Sequence, residues 1–234
     1  MDRGGLLNLQ PLDTGARPSA ADQVFAELRH AILSLLILPG AKLSEIEVAA
    51  QMGVSRQPVR DAFYRLAKLG LLNIRPQRAT TVTLISREAV MRARFLRTAL
   101  EVETVRAAAL AFGTADLAAL QSLIDQQAIA MEADDRLSFH TLDDAFHLEI
   151  CRGAGVPFAW EMIYEMKAHM DRVRMLSLAF ASRRAWEEHV AILKAIKERD
   201  VDAAVGSMRF HLARISDTYD HIRQQNRQWF ADEE

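Results

Sequence analysis

Asp143 and His147 stand four residues apart in a helically periodic stretch, so their side chains lie on one face, one turn above the other. Two later stretches of the same periodicity carry His189 and His211. A carboxylate and three imidazoles converging inside a helical bundle suit a borderline divalent ion, Zn²⁺ first, with Mn²⁺ or Ni²⁺ as alternatives. Buried histidines also serve as hydrogen-bonded core residues, and spacing alone leaves both readings open. Asp144 points roughly 100° away around the helix, which fits a solvated carboxylate or one behind the ligands. His30, His140, His169 and His221 have no matching partner motif and read as ordinary residues.

The elements that must position these groups fill the C-terminal two thirds of the chain. Helical periodicity runs from Ser86 to about Phe112, Thr114 to about Ala133, and Ser138 to Arg152. After the break at Gly153, Gly155 and Pro157 it continues to roughly Ser177, then from Ser182 to near Arg199. A sixth stretch runs from Asp200 or Val201 to about Gln225. Six antiparallel helices with short connections predict an all-α bundle.

The N-terminal third reads differently. A helix from about Ser19 with Val24, Leu28, Ala31, Ile32 and Leu35 as its stripe is broken by Pro39-Gly40. Ser44, followed three residues later by Glu47, has the capping-box pattern, and Gly53 stops the short helix it starts. Ser55 caps the next helix, which tolerates Pro58 in its first turn and ends at Gly70. Its apolar stripe is Val59, Phe63, Leu66 and Leu69, with Arg56, Arg60 and Arg65 off it. Leu72-Asn73-Ile74 and Thr80 to Leu84 are β-prone runs around a basic tip with Arg75 and Arg78. Two short helices, an arginine-bearing second one and a basic hairpin form a winged helix-turn-helix, a shape suited to duplex DNA.

The chain has 234 residues, half of them apolar and a quarter charged, as expected of a globular protein with a sizeable core. Its net charge of −2 divides unevenly. Residues 21–86 carry 8 lysines and arginines against 5 carboxylates, and residues 87–234 carry 19 against 24. The first part is net basic, and local field matters more for DNA than total charge. A lone Cys151 fits a buried structural thiol in a reducing compartment. The apolar run from Ala31 to Leu38 is too short for a bilayer, and the N-terminus lacks a signal-peptide layout, so a cytoplasmic protein is expected. The chain is expected to divide into a flexible arm (1–18), a winged helix-turn-helix (19–85), a helical domain (86–228) and an acidic tail (229–234).

Ser44-Glu45 with Val48-Ala49, Gly53-Val54-Ser55-Arg56-Gln57-Pro58-Val59-Arg60-Asp61-Ala62, then Leu66 and Gly70-Leu71, resemble the winged helix of GntR-type transcriptional regulators. Gln57 stands where threonine is common, and Ala79 where the wing tip usually has glycine. The resemblance implies that Arg56 and Arg60 contact DNA. Ser44, Ser55, Gln57, Arg65 and Arg78 complete the expected DNA-binding set. Asp143-Asp144-Ala145-Phe146-His147, Glu188-His189-Val190-Ala191-Ile192, Ala195-Ile196, Asp200, Ala204, Met208 and His211-Leu212 resemble the effector-binding FCD domain of the FadR branch. That resemblance implies a metal held by Asp143, His147, His189 and His211.

Four protein ligands on an ion that accepts five or six leave positions for a carboxylate effector, and the cation offsets the cost of burying an anion. An arginine is the natural second grip. The resemblance favours one from the first bundle helix, so Arg97 comes first, then Arg174, with Arg94 sharing Arg97's face. The expected protein is a homodimeric repressor of a palindromic operator, released when a small carboxylate metabolite moves the linker near Leu84–Glu88. Two rivals are a regulator for which the ion itself is the signal and a helical metalloenzyme activating water. No dedicated general base for the latter is identifiable.

Overall fold

The computed structural model of the chain describes residues 18–75 and 77–232. Most of the predicted N-terminal arm and the end of the acidic tail lie outside these residues. Ser19 accepts from the Asp22 amide while the Ser19 amide donates back to the Asp22 carboxylate, a capping box that starts α1 (Ala20–Leu33). Ser44 accepts from the Glu47 amide to open α2 (Glu45–Met52), which Gly53 closes at φ 65°. Ser55 occupies the N-cap position of α3 (Arg56–Lys68), but its hydroxyl makes no capping hydrogen bond, contrary to the expectation.

The predicted hairpin forms as β2 (Leu72–Asn73) and β3 (Thr80–Val82), and it gains a strand the sequence did not announce. That strand, β1 (Lys42–Leu43), pairs antiparallel with β3 to give the order β1-β3-β2. Two residues are too few to show alternation, so only the tertiary pairing defines β1. Val24, Leu28, Ile32, Val59, Phe63, Leu66 and Val82 form the core of this head, and Ala168 from the bundle joins it.

The bundle comprises α4 (Arg87–Ala111), α5 (Thr114–Glu132), α6 (Arg136–Gly153), α7 (Phe158–Met166), α8 (Ala168–Lys197), α9 (Val201–Ala213) and α10 (Ile215–Gln225). Its main core joins Val105, Phe112, Leu120, Ile124, Phe146, Ile150, Ile192, Ile196 and Met208 across five of these helices. The all-α expectation holds, but two breaks fall elsewhere than predicted. No interruption occurs near Ser182, whose hydroxyl donates to the Leu178 carbonyl four residues back instead of capping a new helix. The stretch around it contains neither glycine nor proline to force a stop. The lapses come at Lys167 and Arg214, both of which keep right-handed backbone angles. Asp135 caps α6, which begins at Arg136, two residues before the predicted start at Ser138.

The predicted tail also begins with residues the fold uses. The Ile85 amide donates to the Trp229 carbonyl and the Ala231 amide to the Ile85 carbonyl, both within 3.0 Å. Phe230 packs edge-on against Tyr219, in a cluster that also holds Ile85 and Val173. The segment after α10 therefore straps the linker between head and bundle to the bundle.

Candidate functional site

Helices α6, α8 and α9 bring Asp143, His147, His189 and His211 together, with one ligand atom from each within 4.8 Å of all the others. His189 Nε2 lies 3.5 Å from Asp143 Oδ1, and His147 Nε2 lies 3.9 Å from Asp143 Oδ2. The imidazoles take their orientation from behind. His189 Nδ1 is 2.8 Å from Gln127 Oε1 of α5, while the other end of that amide donates to the Leu142 carbonyl. His211 Nδ1 is 2.8 Å from Glu188, and His147 Nδ1 is 2.6 Å from Glu101. The acceptors at the Nδ1 atoms of His189 and His211 place the proton there and leave those Nε2 lone pairs for the centre, while Glu101 lies close to His147 Nδ1 without hydrogen-bond geometry.

The polar atoms at that centre are poorly satisfied by the protein. Asp143 Oδ2, His147 Nε2 and His189 Nε2 are buried and make no hydrogen bond among the described residues. Burial pushes the His189 imidazole well below its ordinary pKa, and His211 beside it adds to the effect. Burial likewise lowers His211, partly offset by its bond to Glu188. Burial opposes charge on Asp143, yet the Arg174 guanidinium beside it holds its carboxyl well below the usual range. The neutral imidazoles of His189 and His211 and the Asp143 carboxylate, with His147 beside them, form a donor set that fits a divalent ion.

Arginines stand beside this cluster. Arg174 pairs with Asp143, and Arg97, fully buried, donates from Nε to Glu101 at 2.5 Å. A cavity of about 90 Å³ next to His211 is lined by both, together with Arg184 and Arg214. Arg94 is not on that lining and donates instead to Ser216 Oγ at 2.6 Å. Arg184 and Arg214 were not singled out from sequence. Their helical spacing was the available signal, four residues before Glu188 and three after His211. Gln127 and Glu188 were missed as orienting partners because each is identifiable only once the helices are packed. Asp144 does not stand behind the ligands, since it pairs with Lys167 at 2.8 Å. Burial, with Glu101 next, pushes the Cys151 thiol up to about 12, so it is not a nucleophile at neutral pH.

On the head, Ser55, Arg56, Gln57 and Arg60 are exposed around the N-terminal turn of α3. Glu45 of α2 accepts from Arg56 at 3.4 Å and from Arg60 at 3.2 Å, holding the two guanidinium groups side by side. Gln57 donates to Asp61 at 2.9 Å. Arg65 faces α1, where it pairs with Asp22 at 2.8 Å and lies over the Phe25 ring. Arg75 and Arg78 of the wing border a notch with Lys42 from β1.

The family model for bacterial regulatory proteins of the gntR family matches residues 20–82, and the FCD domain model matches residues 93–214. The HTH-type transcriptional repressor RspR of Escherichia coli is 40% identical over 213 residues, covering 90% of this chain and 93% of that protein. The gluconate operon transcriptional repressor of Bacillus licheniformis is 26% identical over 202 residues, 82% of each chain. Among solved structures, E. coli McbR/YncC superposes with a TM-score of 0.76 at 26% identity, covering 88% of this chain and 99% of that one.

Proposed function

Because the chain belongs to the GntR family of DNA-binding transcriptional regulators and carries an FCD domain, rather than belonging to an enzyme family, we propose that it is a repressor released by a small carboxylate. The names of RspR and of the gluconate operon repressor support the sign. The observation that carries the effector reading is the cluster of one aspartate and three imidazoles, with the Nε2 atoms of His147 and His189 buried and unbonded, beside an arginine-lined cavity.

Asp143, His147, His189 and His211 would hold a divalent ion, zinc first by donor type, with manganese or nickel as alternatives. A bound ion supplies positive charge and open coordination positions for a carboxylate. Arg97 and Arg174 take the second grip, joined by Arg184 and Arg214 at the cavity wall. The cavity has room for the carboxylate end of a small molecule and little more.

Coupling to DNA runs through α8. This helix carries Arg174 and His189, and its first turns hold the head: Arg172 donates to the Thr83 carbonyl at 2.6 Å and His169 meets the Leu69 carbonyl at 3.0 Å. A carboxylate that draws Arg174 from Asp143 favours a different setting of α8, and the head follows. Exposed Phe95 on α4, with Phe158 and Met162 on the adjoining α7, supports a homodimer that reads a palindromic operator. Among the described residues no helix is long and apolar enough to cross a membrane, and we place the protein with its DNA in the cytoplasm.

The test is fluorescence anisotropy of a duplex selected from a random pool, with zinc-loaded protein titrated with sugar acids, hydroxy-acids and dicarboxylates. Release by one of these, lost on chelation, is expected. Release by zinc alone would make the ion the signal, and indifference to every carboxylate would refute the reading.

A further inference from the structure

A second cluster of titratable side chains lies on the other side of Arg174, under the head. His140 and Asp144 of α6 and Asp171 of α8 place ligand-type atoms within 4.8 Å of one another. Lys167, 1% exposed, sits among them, with Nζ 2.8 Å from Asp144 and 2.7 Å from Asp171. These groups line a cavity of about 500 Å³ between the bundle and α1 of the head. That volume is in the range of small-molecule sites and exceeds that of the cavity beside His211.

The chemistry of the lining is specific. Asp144 Oδ1, Asp171 Oδ1 and His140 Nδ1 are buried and have no hydrogen-bond partner among the described residues. Burial lowers the His140 pKa, which leaves a neutral ring with an acceptor or donor to offer. The wall opposite is aromatic, from Trp160 and Tyr164 of α7, and Arg29 of the head lies over the Tyr164 ring at 3.8 Å. An anion would meet two carboxylates. A metal ion or an ammonium would compete with Lys167, which already fills the cationic seat and faces the Tyr164 and Trp160 rings at 5.3 and 5.9 Å. Arg174, which also faces these carboxylates, is paired with Asp143, and the remaining Asp144 and Asp171 are balanced by Lys167 and Arg29, so the unmet demand is for uncharged donors beside an apolar ring face.

We infer that this cavity is a second ligand site, separate from the Asp143 centre, and that it takes an uncharged polyhydroxylated molecule such as a polyol or an aldose. Its hydroxyl groups donate to Asp144, Asp171 and His140, and its carbon face lies on the aromatic wall. Because Arg29 and Phe25 of the head line the same cavity as α6, α7 and α8, an occupant touches both parts of the molecule and biases how they sit together.

Isothermal titration of the zinc-equilibrated full chain with sorbitol, glucose, putrescine and further zinc chloride tests this. Saturable one-to-one binding of sorbitol or glucose is expected, weakened at least tenfold both by Asp171→Asn and by Ala26→Trp. The second variant fills the cavity from an exposed position on α1 and leaves the buried ion pairs untouched. Binding that persists in His189→Ala separates this site from the metal centre. Absence of saturable polyol binding, polyol binding unaffected by Ala26→Trp, or saturation only by putrescine or a second zinc per chain would each overturn the inference.

Discussion

His169 Nε2 lies 3.0 Å from the Leu69 carbonyl, joining the first turn of α8 to the end of the helix that carries Arg56 and Arg60. Arg172 donates to His169 Nδ1 at 3.1 Å, so the imidazole receives on one side and gives on the other. That directional chain requires a neutral ring with its proton on Nε2. Gly70 makes the approach possible: at φ 72° a side chain is strained, and a Cβ there would come within 2.9 Å of the His169 ring.

This contact gives the protein an acid-sensitive joint. Burial first, then the Arg172 and Arg92 cations, push His169 down to about 4, against the opposing Leu69 bond. The unfolded chain, at about 6.5, takes the proton first. Stability from this group is therefore constant above about pH 6.5 and falls as pH drops toward 4, by up to ~3 kcal/mol. His169→Gln, which keeps a donor but does not titrate, should lose less stability over that window. Urea midpoints at about pH 7 and pH 5 check this, and identical losses in both proteins would contradict it.

Gln127 orients His189 without reaching the centre. Replacing it with methionine keeps the volume and removes the acceptor at Nδ1. A loss of roughly 10–100-fold in zinc affinity is expected, with the fold retained. Competition against a chromogenic chelator measures it, and unchanged affinity would mean that the Nδ1 contact does not set the tautomer.

On the head, Arg60→Ala and Arg78→Ala should behave differently. The first removes a guanidinium aligned beside Arg56 and is expected to cost ~1–3 kcal/mol and relax sequence preference. The second removes a wing-tip cation proposed to meet a phosphate, and should weaken all duplexes alike and lower the salt dependence by about one ion. Anisotropy over a salt series separates the two outcomes. Identical behaviour of both variants would contradict the division of roles.

Gly153 closes α6 where a Cβ would overlap the ring of buried Phe112. Gly153→Ala should destabilise the bundle by ~1–3 kcal/mol, because the buried ring must shift out of its packed position. Operator affinity of the folded protein should be unchanged. A denaturation midpoint equal to that of the unaltered protein would show that the ring moves freely.

Much of this was legible in the chain because it depends on local rules. Ser19, Ser44, Ser86 and Gly53 act where cap chemistry puts them, and the apolar stripe of α3 is buried as its spacing requires. The aspartate and three histidines were visible because i and i+4 share a face and because the surrounding residues match a known pattern. What stayed hidden depends on packing between distant segments. β1 exists only through β3, Ile85 is held by Phe230, and Gln127 reaches His189 from another helix. His140 and His169 read as ordinary since their partners lie on elements that sequence spacing does not connect. The Lys167 and Arg214 lapses were illegible because both residues keep helical angles and no glycine or proline marks them.

The central claim is that one ion is gripped by Asp143, His147, His189 and His211. Elemental analysis of the protein and of His189→Ala, each equilibrated with zinc and then dialysed, tests it most directly. One zinc per chain in the first and strong depletion in the second, with both still binding duplex DNA in the absence of effector, is the predicted result. Equal zinc in the two proteins, or none in either, would contradict it.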